Sequence, residues 1–131
     1  MLTVRILVEI TKMLERFLVP EKDRVYIKPE NISRATTQIF RKMGLSQKDS
    51  ELSTEVLMTS DMRGCETHGV SNMLRTYAKQ YGAGELNAVP KLTLTRETTV
   101  TANIDGDAGL GLHVLPKAME IAMEKADQHG T

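Results

Sequence analysis

Asp61-Met62-Arg63-Gly64-Cys65-Glu66-Thr67-His68-Gly69-Val70 joins two segments of helical periodicity and carries the densest group of reactive side chains in the chain. Upstream, Leu52, Val56 and Leu57 lead at helical spacing to about Met62; downstream, Val70, Leu74, Tyr77, Ala78 and Tyr81 resume it. Gly64 releases the first helix, and Thr67 stands where the N-cap of the second belongs. On that reading the backbone N–H groups of residues 68 to 70 point outward unpaired, which makes a ready anion site. His68, in the first turn, then feels the positive end of the helix dipole, which disfavours its protonation and leaves a neutral imidazole. A capped helix start with a partly buried histidine accounts for the same residues and is the commoner use of such a stretch.

Working back from this stretch, Ser46 followed by Asp49 resembles a capping box with Asp in place of Glu and opens the helix that ends near Met62. Before it, Pro29 fits the first position of a helix carrying Ile32, Ala35, Ile39, Phe40 and Met43, which Gly44 closes. Val25-Tyr26-Ile27 has the composition of a short edge strand. Residues 1–20 read as an amphipathic helix, with Ile6, Leu7, Ile10, Met13, Leu14, Phe17 and Leu18 on one stripe and Pro20 as its stop. That stripe can pack on its own domain or on a second subunit, and Met13 is a second candidate start. Arg5, Glu9, Lys12, Glu15 and Arg16 interrupt the segment throughout, so it reads neither as a bilayer span nor as a signal peptide.

Forward from Tyr81, Gly82, Gly84, Asn87 and Pro90 mark a loop, after which the period changes from helical to alternating. Leu92 and Leu94, then Val100, Ala102 and Ile104, fit two short strands. Residues 105–111, Asp-Gly-Asp-Ala-Gly-Leu-Gly, form a glycine-rich turn, and Pro116 begins a last helix that runs to a stop at Gly130. The expected class is α+β, with about four helices followed by two short strands and a final helix. A helix that follows a strand normally returns the chain to the sheet, so the sequence reads as interrupted within a βαβ unit.

Composition narrows the function classes. The chain has 131 residues, 40% hydrophobic and 26% charged, enough for one domain with a modest core. Seventeen Lys and Arg balance 17 Asp and Glu, and the aromatics are three Tyr and two Phe, so neither phosphate neutralisation nor base stacking favours nucleic acid. The single Cys65 excludes an internal disulfide and makes a reducing compartment, the cytoplasm, the simpler assumption.

A strand, a glycine-rich turn and a helix are the setting of a dinucleotide fingerprint, but Gly106, Gly109 and Gly111 give G-x-x-G-x-G instead of G-x-G-x-x-G. Asp105 and Asp107 also stand where a pyrophosphate should, so a tight turn is the better reading. Cys65, Glu66 and His68 are metal-capable types without the paired spacings of a metal site. Asp61, Arg63 and Glu66 suit an acid cluster, although a solvated charge run at a helix end is commoner.

Ser60-Asp61-Met62-Arg63-Gly64, then Thr67-His68-Gly69-Val70, resembles the A-D-x-R-G-x-x-S-H-G-V signature of the type-2 malate/L-lactate dehydrogenase family. Arg96-Glu97-Thr98, Ile104-Asp105-Gly106-Asp107, Gly109-Leu110-Gly111 and Ala118-Met119 resemble that family's second block. The resemblance covers residues 21–131 and implies the N-terminal portion of an NAD- or NADP-dependent oxidoreductase of small 2-hydroxy or 2-imino acids. It implies a homodimer and a cofactor fold that differs from the standard Rossmann arrangement. The chain would then be truncated before the cofactor-binding domain, a fragment of a larger α/β dehydrogenase. The family's acid/base histidine is expected beyond Thr131, so no catalytic residue is assigned here and turnover by this chain alone is not expected. Thr67 and His68 fall on the family's Ser and His, and Asn72 on an Arg suited to a substrate carboxylate; these three are the substrate- or cofactor-binding candidates. With Asn72 in that place, either another cation grips the acid or the substrate is less acidic than malate. A small helical interaction module built on residues 6–18, or a decayed fragment without catalytic activity, is the alternative from another class.

Overall fold

The computed structural model describes residues 20–130; the expected amphipathic helix of residues 1–20 thus lies outside the described residues apart from Pro20. The described chain is α+β. Helices α1 (Pro29–Lys42), α2 (Gln47–Met62) and α3 (Val70–Gly82) are followed by strands β1 (Thr93–Glu97) and β2 (Ala102–Asp105) and by helix α4 (Gly111–His129). Short 3-10 turns occupy Glu21–Asp23 and Glu66–His68.

The first three helices all end the same way, which explains why their limits are readable. At Gly64, with φ at +73°, the chain reverses; Cys65 N donates to the Ser60 carbonyl at 2.8 Å and Gly64 N to the Asp61 carbonyl at 2.9 Å. This paired closure needs a left-handed residue, where glycine carries no Cβ penalty. Gly44 and Gly84 close α1 and α3 with the same two bonds. At the start of α2, Ser46 Oγ accepts the Asp49 N–H at 3.0 Å. The Asp49 carboxylate does not complete the box on the Ser46 backbone; it accepts from the Ser46 hydroxyl and from Lys117 of α4, both at 2.7 Å.

The core centres on Phe40, Leu45, Leu57 and Leu110, with Val70, Met73, Leu74 and Tyr77 of α3 packed against it. Phe40 and Leu57 are fully buried, and truncating such a side chain to Ala typically costs about 2–5 kcal/mol. Helix α2 is central and buries Ser50, Ser53, Thr54 and Leu57. Its small hydroxyl side chains let the neighbouring helices approach closely, and Thr37 Oγ1 of α1 donates to Thr54 Oγ1 at 3.0 Å. Helix α1 faces inward with Thr36 and Phe40, whereas Ala35 and Ile39, expected on the buried stripe, are exposed.

Strands β1 and β2 form a two-stranded antiparallel sheet, with Thr93 opposite Asp105 and Glu97 opposite Ala102 and a bulge between Leu94 and Arg96. Val100 lies in the connecting turn, not in a strand. Two strands alone are marginal in water. Here Lys125 of α4 anchors the hairpin, donating to the Thr98 carbonyl at 2.9 Å and pairing with Glu97 at 2.8 Å.

Two expectations are corrected. Val25-Tyr26-Ile27 is not a strand: the segment belongs to no sheet, its three side chains are exposed, and no described strand edge lies beside it to supply a ladder. The last helix begins at Gly111, five residues before Pro116, which lies inside it. As the sixth helical residue, Pro116 lacks the N–H that would bond the Leu112 carbonyl, so it marks the second turn of the helix and not its start, while Leu110 supplies the extended N-cap at φ −67° and ψ 128°.

Candidate functional site

The stretch from Asp61 to Val70 folds back on itself around one carboxylate. Asp61, in the last turn of α2, reaches across the loop, and its Oδ2 accepts the Val70 N–H at 2.9 Å. The cap of α3 is therefore a side chain nine residues upstream, with Gly69 as the N-cap residue and Thr67 within the preceding 3-10 turn, which corrects the expected Thr67 cap. Gly69 is required by closeness: a Cβ there would lie 1.5 Å from Asp61 Oδ1. Its φ of −91° is open to any residue, so what a side chain there would cost is the Asp61 carboxylate, pushed out of its place at the start of α3.

The N–H groups of residues 68 to 70 are not an open anion site. His68 N donates to the Cys65 carbonyl at 3.0 Å, Gly69 N to the Glu66 carbonyl at 3.2 Å, and Val70 N to Asp61. What the loop presents is side chains. Thr67 and His68 are exposed, and Thr67 Oγ1 lies 2.9 Å from His68 Nδ1, which orients the ring and leaves Nε2 as its outer edge. Because His68 precedes α3, its expected place in the first helical turn is also corrected. Asn72, in the first turn of α3, donates from Nδ2 to the Glu66 carbonyl at 2.9 Å and so braces the loop that carries the Thr67–His68 pair. Cys65 is exposed, and among the described residues no group of three His, Cys, Asp or Glu side chains is placed to hold a metal.

Two apolar grooves open on the described residues. One, of about 490 Å³, runs between α1 and α2 and reaches Met62 and Arg63, at the entry to the loop. The other, of about 500 Å³, lies among Val56, Tyr77, Leu112 and Met119. Neither is lined by Thr67, His68 or Asn72.

The second glycine-rich stretch is closed. Asp107 and Ala108 take left-handed φ values of 49° and 52°, and Gly109 N donates to the Gly106 carbonyl at 2.8 Å. Asp105 Oδ1 accepts the Asp107 N–H at 2.9 Å, while Asp107 Oδ2 accepts from Asn87 Nδ2 at 2.9 Å and from Lys91 N at 3.0 Å. Gly109 is a packing glycine, since a Cβ would meet Pro90 Cγ at 2.6 Å and Val114 Cγ2 at 2.7 Å. Two carboxylates and internally paired N–H groups do not fit a pyrophosphate, as the order of its glycines implies.

Sequence reading missed a polar cluster in the interior. His113, in the first turn of α4, is fully buried, with Nδ1 3.4 Å from Ser53 Oγ of α2. Burial pulls its pKa below the ordinary histidine value and Lys117 adds to this, with Asp49 opposing. Burial acts against ionisation of Asp49 too, but the hydrogen bonds from Lys117 and Ser46 prevail and hold that carboxyl below its usual range. Tyr81 is pushed up to about 12 by burial and by Asp49. Placing the helix start at Pro116 left His113 in a loop, where nothing signalled its burial.

With the geometry in place, the comparisons define the class. The arrangement of helices and hairpin is similar to the structure of malate dehydrogenase from Pyrococcus horikoshii OT3, with a TM-score of 0.80 and 31% identity over 86% of this chain and 32% of that one. Sulfolactate dehydrogenase from Methanocaldococcus jannaschii gives a TM-score of 0.75 at 33% identity over 79% of this chain and 30% of that one. In sequence, the malate dehydrogenase of Pyrococcus abyssi is 33% identical over 118 residues, 90% of this chain and 32% of that protein. The family model described as malate/L-lactate dehydrogenase matches residues 27–131, and the chain belongs to that family. It spans about a third of the length of the curated relatives it matches.

Proposed function

We propose that this chain is the N-terminal portion of an NAD- or NADP-dependent oxidoreductase that moves hydride between the nicotinamide and a small 2-hydroxy or 2-imino acid. Membership of the malate/L-lactate dehydrogenase family across residues 27–131 carries the reading. The bound nucleotide supplies the hydride chemistry, and the closed 105–111 turn of this chain is not its cradle. The chain's own contribution is the Asp61–Val70 loop. There Asp61 fixes the start of α3, Thr67 orients the His68 ring, and Asn72 braces the loop from Glu66. His68 then meets the acid with a ring N–H, and Asn72 offers it only a neutral amide, already donating from Nδ2 to the Glu66 carbonyl, where an Arg would offer a bidentate cation. That difference favours an acid less dependent on a second carboxylate than malate. In the assembled protein, a cytoplasmic homodimer, the acid/base histidine comes from outside these residues.

A chimera tests this directly: the Pyrococcus horikoshii malate dehydrogenase with its N-terminal third replaced by residues 27–131. Oxidation of at least one small 2-hydroxy acid, with reduction of NAD or NADP, is the expected result. A folded chimera that binds the nucleotide but turns over no 2-hydroxy acid would contradict the reading.

A further inference from the structure

Residues 1–19 lie outside both the described residues and the family match, which begins at residue 27. Their sequence carries one apolar stripe at helical spacing, from Ile6 and Ile10 through Leu14 to Phe17 and Leu18. A helix this short is marginal on its own and is stabilised chiefly by packing its apolar face. The groove between α1 and α2 offers such a face. Met58 and Met62 of α2 supply its apolar lining, with the small Ser33 and Thr37 from α1. Methionine adapts to the shape of what it meets, and small side chains let a third helix approach closely. Met62 is 69% exposed, a large apolar side chain that the described residues leave open.

We propose that residues 6–18 dock as a helix in the groove between α1 and α2 of the same chain, running alongside α2 and covering Met62. The connection sets the direction. A short turn joins α1 to α2 and Thr37 bonds to Thr54, so the two helices run antiparallel and Pro29 comes level with Met62 at one end of the groove. Residues 20–28 lead from the segment to Pro29 and can span up to about 30 Å, enough to bring Leu18 to that end. In this register Leu14 comes level with Met58. The lengths also agree: residues 6–18 span about 18 Å as a helix, and Glu51 to Met62 of α2 about 17 Å. Charge selects between the grooves. In the segment Arg5, Lys12 and Arg16 outnumber Glu9 and Glu15, while in the groove Glu30, Glu51 and Glu55 outnumber Arg63. The other groove, at Val56 and Tyr77, is lined by no charged side chain, so only the first has a potential opposite to that of the segment.

Peroxide oxidation of the methionines in the 131-residue chain, read by peptide mass, decides the point. In an open groove Met62 would oxidise as fast as Met119 and Met123 of α4, which are 59% and 56% exposed. Under the docked segment it should oxidise about fivefold more slowly than either. Equal rates would overturn the proposal, and so would protection of Met119 with Met62 left open, which puts the segment in the other groove. Leu14→Cys with Met58→Cys, in a Cys65→Ser background, then identifies the occupant. A disulfide within one chain is the expected result. A disulfide-linked dimer, which gives the groove to a second copy, or no disulfide at all would overturn it. The wild-type oxidation rates answer even where the cysteine variant fails to fold.

Discussion

Two glycine-rich stretches precede helices in this protein, and they are built to opposite ends. In residues 61–70 a carboxylate from the previous helix caps the next one, which spares Thr67 and His68 for the surface. In residues 105–111 the Asp107 carboxylate binds the loop to its neighbours Asn87 and Lys91, and Asp105 accepts an N–H within the turn. In sequence, residues 68–70 read as a place where an anion settles on backbone N–H groups, and residues 105–111 as a tight turn with carboxylates where a pyrophosphate would sit. In both, the protein's own carboxylate accepts a backbone N–H of the stretch. The presence of glycine and acidic residues before a helix is thus not enough to mark an anion site; what counts is whether the carboxylate can reach the N–H groups itself.

The contrast can be broken at its glycines. Gly69→Ala should be the most damaging change, because the new methyl collides with the group that caps α3 and the cap is lost with it. A destabilisation of about 3 kcal/mol, combining overpacking with a lost cap, is expected from urea unfolding. Gly109→Ala should cost less, about 2 kcal/mol, since the atoms it meets belong to the Pro90 ring and the rotatable Val114 side chain, which can yield in part. If the order of these two losses is reversed, the Asp61 cap is weaker than the geometry implies.

A smaller effect separates the loops from the interior. His113 has its pKa lowered by burial, so the folded state holds it neutral and the unfolded state binds the proton more readily. Its contribution is complete above the unfolded value of about 6.5 and is lost as the pH falls below it. Asp49, lowered by Lys117 and Ser46, contributes above about 3.8 and loses that contribution as the pH falls through its folded value. Melting temperature should therefore drop in two stages on acidification, the first of them starting near the ordinary histidine value of about 6.5 and running down toward the lowered folded value of His113. His113→Gln should remove the first stage and leave the second. A first stage that survives this change would assign it to another group.

Much of the fold was legible because its punctuation is local. Gly44, Gly64 and Gly130 ended helices where expected, since a left-handed closing residue depends only on its own turn. Ser46 was legible as a cap for the same reason. The failures came where a distant group decided the outcome. Asp61 displaced Thr67 as the cap of α3 from nine positions away, and no local pattern reports a partner at that range. Val25-Tyr26-Ile27 had the composition of a strand but pairs with neither strand of the described sheet. The buried face of α2 escaped because it is made of Ser50, Ser53 and Thr54, which a search for apolar periodicity passes over. The candidate site was legible only as a set of residues: resemblance to the family motifs singled out Thr67, His68 and Asn72, while the Thr67–His68 contact and the bond from Asn72 to Glu66 needed coordinates.

The central claim is that the Asp61–Val70 loop is closed from within so that His68 is free to meet a 2-hydroxy acid. The most direct measurement is steady-state kinetics of His68→Ala in the chimera described above, alongside its thermal melt. His68 is exposed and holds no helix end, so the melting temperature should be unchanged. Loss of one hydrogen bond to a charged substrate, about 1.5–3 kcal/mol, should lower kcat/KM roughly 10- to 100-fold. An unchanged kcat/KM, or a loss of activity matched by a lower melting temperature, would contradict the account.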